Sequence, residues 1–133
     1  HETGTDQVLA GGATTAIIGT ITSGDFDITQ RRSNTGQAIG TPDLRGDGEY
    51  IMKIRRFLPD FISQVGTTTI DFTTRDFPNS SSKTQTFTTT SATTKVDTRV
   101  RARSIAMTVK NTATSQDWKL GTFRLDIQPD GRR

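Results

Sequence analysis

Hydrophobic and polar residues alternate with a two-residue period in several stretches of the chain, which is typical of strands with one buried face. In the first stretch Met52 and Ile54 occupy one parity, while Lys53 and Arg55 occupy the other. Residues 68–75 alternate in the same way. The pattern therefore predicts antiparallel strands, and it predicts that the two basic side chains of the first strand share one face.

Two longer stretches change phase, so a single straight strand cannot bury all of their hydrophobic residues. The first slip is at Arg103, because Val100 lies before it on even parity and Ile105 lies after it on odd parity. A β-bulge or a switch between sheets would restore one buried face. The second slip is at Gly121, which follows Leu120 and is a natural position for a bulge.

The remaining segments are less regular. Residues 84–91 are almost all threonine around Phe87, which gives weak register information and predicts a strand at a sheet edge or against a partner. Residues 30–49 are rich in glycine and polar residues and predict a long loop. We expect one all-β domain over residues 1–133, with a loop-rich part at 1–49 carrying one or two short strands and the main β core at 50–133.

The expected architecture is an antiparallel β-sandwich or curled barrel of about six to eight strands with no substantial helix. A single blade of a larger propeller is an alternative. The chain starts at His1 rather than at a methionine, and we therefore expect a fragment of a longer protein.

Composition supports strands over disorder. Only 30% of the 133 residues are hydrophobic, but about a fifth are threonine, whose β-branched side chain suits a pleated sheet. There is no cysteine, and no apolar run approaches the roughly 20 residues that span a bilayer, so we expect no membrane span. The net charge of +3 is mildly basic and is compatible with nearby nucleic acid without requiring it.

The sequence offers no catalytic constellation. The one histidine, His1, is at a terminus, which excludes a His/Cys metal site. Asp25 with Asp27, and the carboxylates of residues 43–49, are better explained as turn-capping groups than as cation ligands. We therefore expect a non-catalytic protein without a metal or cofactor.

The candidate binding residues are basic. Arg99, Arg101 and Arg103 recur at every second position, which on an extended strand forms a row with a spacing of about 6–7 Å. With Lys53 and Arg55, this row can face DNA phosphates or the carboxylates of an acidic partner, and a solvated outer face is an equal alternative. Three aspartates are candidates to neutralise the row: Asp71, Asp97 and Asp126.

Several short motifs are distinctive, above all W-x-L-G followed by PDGRR. The motifs lie at Phe57–Phe61, Thr73–Pro78, Thr98–Arg103, Met107–Val109 and Trp118–Arg133, with a weaker likeness at Ser23–Ile28. They resemble the C-terminal region of podovirus tail nozzle proteins, also called tail tubular protein B or packaged-DNA stabilisation proteins. Known subunits of that family are several times longer than this chain.

The resemblance implies a ring-forming structural subunit of the virion that contacts other phage tail subunits, helps form the DNA channel and takes part in DNA ejection. It implies no enzyme. Two other functions stay open from the residues alone. One is a receptor- or carbohydrate-binding adhesin that uses the loop at residues 30–49, and the other is a nonspecific DNA-binding module that uses the basic row.

Overall fold

The computed structural model describes residues 6–28, 50–77 and 79–132, and within them the chain is all-β, with eleven strands and no helix. The strands are β1 (Asp6–Val8), β2 (Thr14–Ala16), β3 (Thr20–Thr22), β4 (Tyr50–Leu58), β5 (Phe61–Val65), β6 (Thr68–Arg75), β7 (Lys83–Thr89), β8 (Val96–Ala102), β9 (Ser104–Lys110), β10 (Asp117–Leu120) and β11 (Arg124–Arg132). The predicted fold class is confirmed. The predicted number of strands was too low.

Two antiparallel sheets form the body of the protein. The three-stranded sheet has the order β11-β4-β8, and the four-stranded sheet has the order β3-β9-β6-β7. Two-stranded ribbons, β1-β2 and β10-β5, complete the described part of the chain. The two main sheets bury their inner faces against each other, as in a β-sandwich.

The core between the main sheets follows the alternation of the sequence. Met52 and Ile54 of β4 and Val100 of β8 belong to the same buried cluster as Ile70 and Val109 of the four-stranded sheet. These five side chains are fully buried. The inward parity predicted for these residues is therefore the one that the fold uses.

Phe57 of β4, with Phe72, is one of the two largest fully buried side chains among the described residues, and its ring contacts several other aromatic rings. Its ring centroid is 5.5 Å from that of Phe72, 5.9 Å from that of Phe87 and 5.4 Å from that of Phe123. Such separations are favourable for tilted and offset aromatic pairs. Phe57 therefore joins β4 to β6, to β7 and to the segment that precedes β11.

Both predicted phase changes are places where the chain leaves one sheet and enters another pairing. At Arg103 the chain passes from β8 in the three-stranded sheet to β9 in the four-stranded sheet. At Gly121 it passes from β10, which pairs with β5, to β11, which pairs with β4. Gly121, where a bulge was predicted, is thus the point at which the chain changes its partner strand. The one strand predicted here is two strands in the structure, which explains part of the difference in the number of strands.

Gly121 is required by a close backbone approach. Its N–H donates to the carbonyl oxygen of Asp60 at 3.0 Å, and an added Cβ would lie 2.4 Å from that oxygen. Real Cβ atoms do not approach a carbonyl oxygen so closely. A glycine therefore lets the end of β10 pack against the turn between β4 and β5.

The N-terminal described segment contains three short strands, β1 to β3, where one or two were expected. Asn111 fastens this segment to the sandwich. Its side-chain oxygen accepts from the N–H of Gly19 at 2.7 Å, and its side-chain amide donates to the carbonyl of Ile17 at 2.8 Å. The predicted loop at residues 30–49 lies outside the described residues.

Candidate functional site

The outer face of the three-stranded sheet collects the basic residues of β4 and β8. On β8, Arg99 and Arg101 point outward because Val100 and Ala102 point into the core. On β4, Lys53 lies directly opposite Arg101. We call the outward basic residues of these two strands the cationic face: Lys53, Arg55, Arg56, Arg99 and Arg101.

A bulge in β4 places two consecutive arginines on this face. Ile54 and Phe57 are both fully buried, and the two residues between them, Arg55 and Arg56, are both exposed. The pairing of β4 with β8 shifts register between Ile54 and Arg56. The buried hydroxyl of Thr98 donates to the carbonyl of Ile54 at 2.7 Å, so the distorted backbone keeps a hydrogen bond at this point.

The bulge borders a shallow groove of about 360 Å³. Four basic side chains and one carboxylate line it: Lys53, Arg55, Arg56, Arg99 and Asp97, together with Thr98. None of the described residues that line the groove is aromatic. It therefore lacks the stacking surfaces on which single-strand nucleic-acid binders hold bases.

Carboxylates neutralise only part of the cationic face. Arg56 pairs with Asp126 of β11, with Nε 3.0 Å from Oδ2. Arg101 pairs with Asp130, whose backbone carbonyl also accepts from this guanidinium at 3.2 Å.

Three basic residues of the face form no ion pair within the described part of the chain: Lys53, Arg55 and Arg99. Arg55 and Arg99 are exposed, and Lys53 is half-buried between the flanking strands. Their charges are therefore available to an external anion at low desolvation cost.

Arg103 does not continue the row that the sequence pattern suggested. It follows the last residue of β8, and its guanidinium carbon lies 5.5 Å from the centroid of the Phe77 ring. This is a cation–π contact. Arg103 is not part of the lining of the groove. The alternation that placed three arginines on one face ends where the chain changes sheet.

Two of the three suggested neutralising aspartates lie beside the cationic face, and one does not. Asp126 pairs with Arg56, and Asp97 lies opposite Arg56 in register. Asp71 belongs to the other sheet, where it is nearly buried and accepts from Lys110 Nζ at 2.6 Å and from the Thr86 hydroxyl at 2.7 Å. Its suggested role at the arginine row is therefore wrong.

Sequence reasoning missed Arg56 and Asp130 as members of this surface. A signal for Arg56 was present, because two residues between inward-pointing Ile54 and Phe57 require an extra outward position. The sequence Pro129-Asp130-Gly131 is typical of a turn, so the alternation pattern gives Asp130 no place in a strand. In the structure β11 continues through these residues with a shift in register, and Gly131 adopts a positive φ of 98°.

The carboxylates considered as cation ligands are only partly described. Asp25 accepts from Arg75 at 2.9 Å and so serves as an ion-pair partner, while residues 43–49 lie outside the described residues. Within residues 6–28, 50–77 and 79–132, no group of three or more His, Cys, Asp or Glu side chains is placed to hold a metal ion. The same residues contain no helix long and apolar enough to cross a bilayer.

The cationic face is suited to multidentate binding of an extended anion. Guanidinium groups donate paired hydrogen bonds to phosphate or carboxylate oxygens. Positions two residues apart on β8 are about 6–7 Å apart, and neighbouring strands are about 4.8 Å apart, so the face offers several donors within a small area.

No protein-family model matches this chain, and a comparison with curated proteins finds no match.

Proposed function

We propose that the chain is a structural, non-catalytic module of a phage tail nozzle, a tubular ring in which it contacts neighbouring tail subunits and helps form the DNA channel. The observation that carries the proposal is the cationic face, where Lys53, Arg55 and Arg99 form no ion pair with any of the residues that the structure describes. The sequence motifs that resemble nozzle proteins supply the second support. The sandwich offers a rigid sheet on which these charges hold fixed positions.

The physical role of the cationic face follows from its basic residues that form no ion pair within the described part of the chain. Binding of a polyanion releases the counterions condensed on it, so the affinity falls steeply as the salt concentration rises. Three cations that each neutralise one phosphate predict a slope of log K against log[salt] of about −3 on duplex DNA. Because the groove lacks aromatic residues, contacts to the DNA backbone rather than to the bases are expected, with little dependence on sequence.

A binding measurement on the 133-residue chain tests the face directly. The probes are a fluorescently labelled DNA duplex and poly-L-glutamate, which distinguish a phosphate polymer from an acidic protein surface. The variant Arg55→Glu/Arg99→Glu reverses two open charges and is expected to lower affinity for the preferred probe by about 10–100-fold at low salt, since each lost contact is worth about 1 kcal/mol or more.

The matched control is Lys83→Glu/Lys119→Glu, which changes the net charge by the same amount at two exposed positions outside the cationic face. We expect it to retain most of the affinity. Equal losses in the two double variants would show that only net charge matters. Absence of binding to both probes at low salt would overturn the role given to this face.

Membership of a tail is a separate question with its own measurement. Electron cryomicroscopy of the intact particle that contains this chain is expected to place the sandwich in the wall of a tail ring, with the cationic face against a neighbouring subunit or the channel. A location outside the tail would refute the proposal, whatever the chain binds in solution.

A further inference from the structure

The two main sheets end in four edge strands among the described residues, and three of these strands carry features that hinder pairing with another chain. In the three-stranded sheet, β8 carries alternating outward charges at Asp97, Arg99 and Arg101, and β11 contains Pro129 and two shifts of register. In the four-stranded sheet, β3 is only three residues long. Charges, proline, irregular pairing and shortness are the common means by which proteins prevent edge-to-edge association.

The fourth edge strand, β7, has none of these protections beyond one charged residue at its end. Its seven residues pair one by one with β6, from Thr68 opposite Thr89 to Thr74 opposite Lys83, without a bulge. It contains no proline, and its one charged residue is Lys83 at its first position. Among the described strands, β6 is its only partner, so the opposite row of backbone N–H and C=O groups faces outward.

The side chains of β7 also suit a second strand. Thr84, Thr86 and Thr88 point to the outer face, each opposite an outward residue of β6. On the inner side Phe87 is only half-buried, although its ring contacts Phe57 and Phe72 at 5.9 Å each. An added strand would cover this ring and complete the hydrogen bonds of the edge.

We propose that β7 pairs antiparallel with β7 of a second copy of this chain, joining two four-stranded sheets into one continuous sheet. A twofold axis at Thr86 places Thr84 opposite Thr88 of the second copy, and Lys83 opposite Thr89. The threonine pattern is therefore self-complementary, and cross-strand threonine pairs are favourable. The two Lys83 side chains lie at opposite ends of the pair, about 20 Å apart, so like charges do not oppose association.

The expected dimer is weak. Two seven-residue strands, each about 24 Å long, bury less surface than the roughly 1,200–2,000 Å² of a stable interface. A dissociation constant between about 1 µM and 1 mM follows for the isolated chain. This inference does not depend on the proposed tail function, because it uses the opposite sheet and no residue of the cationic face.

The first test is sedimentation equilibrium of the wild-type chain up to a concentration of about 1 mM, where a reversible monomer–dimer equilibrium is expected. The second test uses the absence of native cysteine. Thr86→Cys places two thiols across the twofold axis, at a separation that a disulfide can bridge, and is expected to form a covalent dimer under mild oxidation. Thr22→Cys, on the same outer face at the opposite edge of the sheet, is the matched control and is expected to remain largely uncrosslinked.

Thr86→Lys sets two like charges opposite each other at the axis and is expected to weaken the dimer at least tenfold, whereas Thr22→Lys leaves it unchanged. Each substitution removes one hydroxyl hydrogen bond, to Asp71 or to Thr108, and a urea denaturation curve of each variant measures its effect on the fold separately. A wild-type chain that stays monomeric at 1 mM, equal crosslinking of the two cysteine variants, or an undiminished Thr86→Lys dimer would each overturn the proposal. Arg55→Glu/Arg99→Glu is expected to dimerise like the wild type.

Discussion

Replacing Phe57 with alanine removes the ring at the centre of the aromatic cluster. Phe57 is fully buried, and its ring lies within 5.4–5.9 Å of three other phenylalanine rings on other segments. Close-packed cores do not collapse fully around a missing ring, so the substitution loses both the transfer free energy of the ring and its contacts.

The size of the effect follows from these terms. Phenylalanine-to-alanine substitutions in cores cost about 3–5 kcal/mol, and favourable aromatic pairs place this site toward the upper part of that range. We therefore expect a loss of about 4 kcal/mol in the free energy of unfolding. A domain of 133 residues has about 7–20 kcal/mol in total at typical values per residue, so the variant is expected to remain folded at low temperature.

Urea denaturation followed by tryptophan fluorescence measures the loss. Trp118 is the only tryptophan, and its half-buried ring lies 6.4 Å from that of Phe61, so unfolding changes its surroundings. With a slope of about 2 kcal/mol per molar urea, the midpoint is expected to fall by about 2 M. The control is Phe77→Ala, because Phe77 is 63% exposed and is expected to cost less than about 1 kcal/mol. A loss below about 2 kcal/mol at Phe57, or equal losses at both sites, would refute the assignment of Phe57 to the core.

Two further substitutions test the backbone geometry in the same urea assay. Gly121→Ala forces a Cβ to within 2.4 Å of the Asp60 carbonyl oxygen and is expected to cost about 1–3 kcal/mol. Gly24→Ala, which meets no atom within 4 Å, is expected to change stability by no more than about 0.5 kcal/mol, and similar values for the two glycines would contradict the close approach. Thr98→Val removes the 2.7 Å hydrogen bond to the Ile54 carbonyl at the bulge and is expected to cost about 1–3 kcal/mol, so an unchanged midpoint would show that this bond does not hold the bulge.

Much of the fold could be predicted because strand periodicity records which side chains are buried. Met52, Ile54 and Val100 point into the core, as the alternation predicted. β7 lies at a sheet edge, as its run of threonine residues predicted. The phase slip at Arg103 was also visible in the sequence. What periodicity does not contain is the identity of the neighbouring strand, so the choice between a bulge and a change of sheet stayed open.

The candidate site was predicted in part for the same reason. Parity correctly gave exposed positions to Arg99 and Arg101, whereas Arg103 is half-buried and follows the last residue of the strand. The ion pair between Arg56 and Asp126 joins residues separated by 70 positions, and only the pairing of β4 with β11 brings them together. Which basic residues of the face form no ion pair with a described residue therefore depends on the order of the strands in the sheet. Local sequence patterns do not specify that order.

The passage of the chain between sheets through Arg103 also fixes how the molecule presents its surfaces. Only one residue connects β8 to β9, so one sheet cannot slide along the other by the length of a residue without breaking its strand pairing. The groove beside β8 and the far edge of the opposite layer are consequently held at a set angle and distance by covalent bonds. Any two ligands that used both surfaces at once would be oriented relative to each other by the backbone itself.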